Sequence, residues 1–369
     1  MRWQTAAVVA AAVVGTGTAV LLLGRKVSDR VLKPADGGGG TSLRVHGLGP
    51  GQVTLTRTTA SVRPGRYALE WGDGGHAVVG DVLRTDVQTV TRRLERADGG
   101  TLTAGTEVRL TPRVYVGDPL TALGIEYVDS SVNAEIGELP AWYVPAVRGT
   151  WVVLVHGPGA DRTQVLPVLP LLRSLRVPTL TVTYRGDEGA PPSPDGLGHF
   201  GETEWRDVDA AVHTALASGA GRVVLYGWSL GATIAMQTAV RSDWRGSVAG
   251  LVLDSPVLDW PATARRGAAR SGAPAAVAEL GALAAQGRSG VDLADFARLA
   301  DGRDLQVPVL LMHSRSDEIA PWAAAERLAG RREQLVSLYG VPGAEHAALW
   351  NADPDRYLEH LRRWLTPLI

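Results

Sequence analysis

Cysteine is absent from all 369 residues, which excludes disulfides, thiolate nucleophiles and cysteine-ligated zinc. Lysine is almost absent. Lys26 and Lys33 are the only two, and every other basic side chain is arginine, a skew that reads as high-GC coding bias. The charges nearly cancel, with a formal net charge of −1, so no global field favours nucleic acid or an acidic surface. Patterns for a phosphate loop, a dinucleotide-binding G-x-G-x-x-G, H-E-x-x-H and an EF-hand are also missing, and no cofactor or metal is implied. What remains is a chain with 45% hydrophobic and 20% charged residues, a balance that supports a folded protein of more than one domain.

The longest aliphatic stretch without charge is at the start. From Trp3 to Gly24 there is no charged residue, and Ala6–Val14 and Ala19–Leu23 are almost entirely aliphatic. About 20 apolar residues span a bilayer as a helix, so residues 1–24 are expected to be a transmembrane anchor. A cleaved signal peptide is the competing reading, but Leu21-Leu22-Leu23 runs directly into Gly24-Arg25-Lys26 without a small-residue cleavage site. Arg25, Lys26, Arg30 and Lys33 follow the span while only Arg2 and the terminal amine precede it. The positive-inside rule then places the body of the protein in the cytoplasm.

Residues 25–42, ending in Asp36–Ser42, read as a flexible linker. Over residues 43–118 short alternating runs such as Gln52–Thr56, Arg66–Glu70, His76–Val79 and Glu107–Leu110, punctuated by Gly, Pro and Asp, predict a small antiparallel β module. It carries no chemical motif; His46 and His76 are read as surface or packing residues. Residues 119–369 alternate strand and helix. Apolar runs at Trp151–Val155, Thr179–Thr183, Val223–Tyr226, Leu251–Leu253, Val309–Met312 and Leu335–Tyr339 are separated by helical patterns. That alternation predicts a doubly wound, mostly parallel α/β sheet whose ligands sit beyond the carboxyl ends of its strands.

Gly227-Trp228-Ser229-Leu230-Gly231 lies between a buried strand pattern and a helix pattern. A serine on such a tight turn is held in a strained conformation that exposes its hydroxyl, with helix N–H groups beside it where an oxyanion would form. Ser229 is therefore the candidate nucleophile. With it, the stretches HGPGADR at 156–162, YRG at 184–186, VLDSP at 252–256, VPVLLMHSRSDEIAP at 307–321 and VPGAEH at 341–346 resemble the α/β-hydrolase superfamily. The esterase, lysophospholipase and prolyl-oligopeptidase-like members are nearest in pattern. The likeness runs from about Leu120 to Ile369 and leaves the β module outside.

The resemblance implies a Ser–Asp–His order, with Asp317 orienting His346 as general base. Asp254, at the end of another strand, is the runner-up acid. His156 is expected to shape the HGPG loop, His313 to be structural and His360 to be solvated. In relatives the oxyanion hole combines the N–H after the nucleophile, here Leu230, with one after HG. The residue in that position is Pro158, which has no N–H, so Gly159 is the candidate replacement. The resemblance also makes residues 260–304 a small helical cap, and the Pro/Gly-rich loop 185–201 is long enough to be functional. Trp205, Trp228, Trp260, Trp322 and Trp350 either line an apolar acyl pocket or fill the core. The leading expectation is a membrane-anchored serine hydrolase of a small or lipid-like ester or thioester with an apolar acyl group, acting through an acyl-enzyme. A peptidase and a non-catalytic binding protein are the alternatives.

Overall fold

Alternating apolar residues in the first part of the chain fold into a ring. In the computed structural model, which describes residues 40–72, 74–270, 283, 286–291 and 293–369, six strands form a closed barrel. They are β1 (Thr41–Gly49), β2 (Gln52–Thr56), β3 (Tyr67–Trp71), β4 (Gly75–Thr85), β5 (Thr89–Gly99) and β6 (Glu107–Thr111). Their order around the barrel is β1-β2-β5-β4-β3-β6, and β1 closes it by pairing Val45 with Leu55 on one side and Leu43 with Val108 on the other. Side chains alternate across a strand, so Leu43, Val45, Val53, Leu55, Leu69 and Val79 fill the interior. Closure leaves no free sheet edge. Strand β1 starts at Thr41, so the expected linker ends earlier than residue 42. The expected anchor over residues 1–24 lies outside the described residues. Among those described, no helix is long and apolar enough to cross a membrane.

The second unit opens with α1 (Pro119–Leu123), started by a capping box between Asp118 and Thr121. Its sheet contains β7 (Val128–Ala134), β8 (Gly137–Val144), β9 (Thr150–Val155), β10 (Thr179–Val182), β11 (Arg222–Trp228), β12 (Val248–Asp254), β13 (Val309–His313) and β14 (Val336–Gly340). The spatial order is β14-β13-β12-β11-β9-β10-β8-β7. Strands β9 to β14 run parallel, and the β7–β8 hairpin joins antiparallel through β8 and β10. All six residues of β9 are buried because both faces are covered. Val153, Val155 and Leu225 face α3 (Trp205–Ala217) and α4 (Leu230–Arg241). Val152, Leu154 and Val224 face α2 (Leu169–Ser174) and the terminal helix. Along that terminal helix, Tyr357, Leu361 and Leu365 recur every four residues, which gives it one buried stripe.

Among the described residues of the expected cap are α5 (Trp260–Arg270) and α6 (Leu293–Asp301). They are followed by α7 (Trp322–Arg331), α8 (Leu349–Ala352) and α9 (Pro354–Leu365). Trp260 packs on Phe200 of the 185–201 loop at 4.5 Å and on Phe296 of α6, which ties that loop to the cap. Strands β10 and β11 flank β9, so the direction of winding reverses at its carboxyl end, where a crevice forms.

Candidate active site

Strand β11 hands over to α4 through one residue, Ser229, at φ 53° and ψ −117°. A non-glycine residue with positive φ stores of order 1–3 kcal/mol of strain, and here the surroundings enforce it. A Cβ on Gly227 would lie 2.2 Å from the Gly231 carbonyl oxygen, and one on Gly231 would lie 2.2 Å from the Val155 carbonyl oxygen. Only glycine at both positions lets the helix start close against β9. The Ser229 N–H donates to the Asp254 carbonyl at 2.8 Å, which pins the turn to the neighbouring strand.

The loop after β14 brings His346 onto this turn. Ser229 Oγ and His346 Nε2 are 2.7 Å apart, and His346 Nδ1 is 2.7 Å from Asp317 Oδ2. The hydroxyl therefore donates to Nε2 while the Nδ1 proton is held by the carboxylate. The second oxygen, Asp317 Oδ1, accepts from Ile319 N and Ala320 N, both at 2.8 Å. Burial would raise the Asp317 pKa, but the bond and charge of His346, His313 and the Ile319 N–H outweigh it and hold it below the usual carboxylate range. Arg266 of the cap helix donates to the Asp317 carbonyl at 2.5 Å.

Asp254 does not reach His346 by a hydrogen bond. It accepts from Tyr357 Oη at 2.7 Å and from Ser255 Oγ at 2.9 Å. Tyr357 Oη is in turn in contact with Tyr226 Oη. Burial pushes the Asp254 pKa up to about 7, against the lowering by its two hydroxyl donors. Ser255, itself at φ 50°, accepts the N–H of Ala347 at 3.1 Å and so steadies the residue after His346. Sequence reasoning missed this role, for which the only local signal was the Asp254-Ser255-Pro256 turn ending a strand.

The loop beyond β9 carries the oxyanion candidates. Leu230 N–H is in the first turn of α4, where backbone donors have no intrahelical acceptor. Gly157 N–H is engaged by Gln164 Oε1 at 2.8 Å, and Pro158 has none to offer. Gly159 sits at φ 69°, the backbone freedom that made it the candidate. His156 is fully buried, with Nδ1 2.9 Å from the Gly157 carbonyl and Nε2 2.9 Å from Asp187 Oδ2. Burial disfavours its cation, but Asp187 and the Gly157 carbonyl raise its pKa, so it braces the loop. His313 is buried 3.8 Å from Asp317 Oδ2 with its pKa lowered, chiefly by burial. His360 is half-buried and stacks on Tyr339 at 3.7 Å.

A profile of the Alpha/beta hydrolase family matches residues 152–360, more than half of the chain, and takes in all three residues of the hydrogen-bonded chain. The chain belongs to this family. A second profile, Domain of unknown function (DUF8805), matches residues 44–111, the barrel. This hydrolase-family chain is 22% identical over 263 residues to the uncharacterized protein YfhR of Escherichia coli K12, covering 70% of this chain and 84% of YfhR. It is 27% identical over 237 residues to the uncharacterized protein Rv2307c of Mycobacterium tuberculosis, covering 62% of this chain and 75% of that one. Among solved structures it shares its fold with the esterase Pf2001 of Pyrococcus furiosus, with a TM-score of 0.57 and 19% identity. That match covers 69% of this chain and 96% of the esterase.

In this family member a cavity of about 540 Å³ opens on Ser229 and His346, with Gly157, Pro158 and Gln164 beside them. Its far side is the barrel, through Ala60, Arg63, Tyr67, Leu110, Pro112 and Arg113. Among the described residues no tryptophan lines it. Trp228 and Trp350 border a separate space of about 110 Å³, Trp260 packs in the cap, and Trp322 meets His313 and Arg315. None of Trp205, Trp228, Trp260, Trp322 and Trp350 lines the cavity at Ser229, so the acyl-pocket reading finds no support there. His46 bonds Thr56 on the barrel surface, whereas His76 is buried between Asp98 and the Arg113 carbonyl. Among the described residues no group of three or more His, Asp or Glu is placed to hold a metal.

Proposed function

We propose that the protein is a serine hydrolase that cleaves a carboxylic ester or thioester through an acyl-enzyme. The observation that carries this is the unbroken chain from Ser229 Oγ through His346 to Asp317, with both links at 2.7 Å. Ser229 Oγ attacks the carbonyl carbon as its proton passes to His346 Nε2, and Asp317 stabilises the imidazolium. The tetrahedral oxyanion is met by Leu230 N–H, with Gly159 N–H as the second donor. Collapse expels the alcohol or thiol, which takes the proton from His346. Water, deprotonated by the same imidazole, then releases the acid. Ala60, Tyr67, Leu110 and Ile319 give the cavity an apolar side for the acyl group.

A peptidase that gripped a substrate amine would need a free acidic pair. Glu318 and Glu345 line the cavity, but Glu345 is paired with Arg63, which favours the ester reading. Residues 1–24 complete the proposal as a membrane anchor, with the catalytic unit on the cytoplasmic side. The test is a fluorophosphonate adduct. Label is expected on the Gly227–Gly231 peptide and should vanish in Ser229→Ala; its persistence there refutes the assignment. In a structure of the adduct the phosphoryl oxygen should lie about 2.7–3.1 Å from Leu230 N and Gly159 N. Contact with Gln164 Nε2 in place of Gly159 would redraw the oxyanion hole.

A further inference from the structure

The barrel is built against the reacting groups, and one segment of it makes the contact. Residues 58–65 are fixed from inside by Arg92, which is fully buried. Its guanidinium donates to the carbonyls of Ser61 at 3.0 Å, Arg63 at 2.8 Å, Gly65 at 2.7 Å and Gly80 at 2.9 Å, and among the described residues no carboxylate bonds it. Burial lowers its pKa, with Tyr67, Asp81 and Glu95 opposing. The guanidinium also lies over the Tyr67 ring, 5.5 Å from its centroid, and burying a cation among carbonyls and a ring is a costly way to order a surface loop, so the shape of that loop matters. Ser61 adds a second brace, accepting from Thr58 N at 2.7 Å and donating to the Thr56 carbonyl at 2.8 Å.

The fixed segment docks on α8, directly after the loop that carries His346, and on that loop through Glu345. Arg66 N–H donates to the Asn351 carbonyl at 2.7 Å, and Asn351 Nδ2 returns bonds to the carbonyls of Arg66 and Pro112, both at 2.9 Å. Gly65, at φ 102°, is so close that a Cβ would lie 2.0 Å from the Asn351 carbonyl oxygen. Arg63 forms an ion pair with Glu345, the residue before His346. Ala60 and Arg63 of the segment, and Tyr67 just after it in β3, face the same cavity as Ser229.

We propose that the barrel is an active-site element: its 58–66 segment positions the His346 loop and forms the substrate wall opposite Ser229, so that the barrel sets the size of ester accepted. This rests on the serine-hydrolase reading above. It gives the domain of unknown function matched at residues 44–111 a role within the same molecule.

Two sets of variants in the full-length protein test it, with turnover counted per fluorophosphonate-reactive site and folding checked by circular dichroism. Ala60→Trp enlarges the wall without touching the triad. It should lower kcat/KM for p-nitrophenyl octanoate about tenfold relative to p-nitrophenyl acetate, as expected when a pocket loses room for part of its ligand. An unchanged octanoate-to-acetate ratio overturns the wall. Arg63→Glu and Glu345→Arg, made singly, should each lower kcat on the acetate about tenfold, and the double exchange should recover most of it through the restored pair. Single reversals with wild-type kcat, or a double exchange no better than the worse single, overturn the positioning role. A wild type whose Ser229 takes no label would refute the hydrolase reading and this inference with it. A labelled, active wild type that is insensitive in both sets refutes this inference alone.

Discussion

Asp254→Asn should convert a pH-sensitive protein into a less sensitive one while leaving turnover largely intact. Asp254 is buried among Tyr357, Ser255 and, through Tyr357, Tyr226, and its pKa rises from 3.8 to about 7. The native state then holds a proton that the unfolded chain has already released over this range. Since stability falls with pH wherever the native state binds more protons, stability contributed by this carboxyl is complete below about pH 3.8 and is lost as pH rises through about 7. Between pH 5 and pH 8.5 the linkage amounts to roughly 2–3 kcal/mol. Asparagine matches the side chain in shape, accepts from Ser255 and does not titrate. Urea unfolding at half-unit pH steps should therefore show Asp254→Asn gaining on the wild type by roughly that amount over the range. A difference between the two proteins that stays flat from pH 5 to 8.5 would refute the buried-proton argument. Loss of turnover in folded Asp254→Asn would show that the aspartate serves catalysis beyond steadying the His346 loop.

The contrasting substitution, Asp317→Asn, removes the carboxylate that holds the Nδ1 proton of His346 and should lower kcat on the order of 10⁴-fold, measured on p-nitrophenyl acetate with the fold verified by circular dichroism. If Asp317→Asn kept wild-type kcat, the role of orienting acid would have to move elsewhere. For the N-terminus, full-length protein should sediment with membranes, and a chain lacking residues 1–33 should stay in the supernatant with its esterase activity retained. A mature protein whose N-terminal sequence begins after residue 24 would establish signal cleavage instead.

Much of this site was legible because its signals are local. Gly227 and Gly231 flank Ser229 within five residues, and the backbone crossing that demands them follows from a strand passing directly into a helix. The apolar run Trp151–Val155 signalled a strand buried on both faces, and β9 is buried at every position. The order of Ser229, Asp317 and His346 could likewise be read along the chain. Other features depend on contacts between distant residues, which periodicity does not encode. Asp254 ends β12 and Asp317 lies in the loop just after β13; the fold aims Asp317 at His346 and turns Asp254 toward Tyr357. Alternation in residues 43–118 implied paired strands, yet closure required β1 to find β6 some 60 residues away. Arg92 occupies what looks like an ordinary polar position in β5, and nothing nearby in sequence shows that it gathers the carbonyls of a remote loop. The sequence by itself determined the elbow, its serine and the parallel sheet beneath it, because backbone geometry and burial act over a few residues. Tertiary structure alone decided that Asp254 turns to Tyr357 and that barrel residues line the cavity, because both depend on packing between elements far apart in the chain.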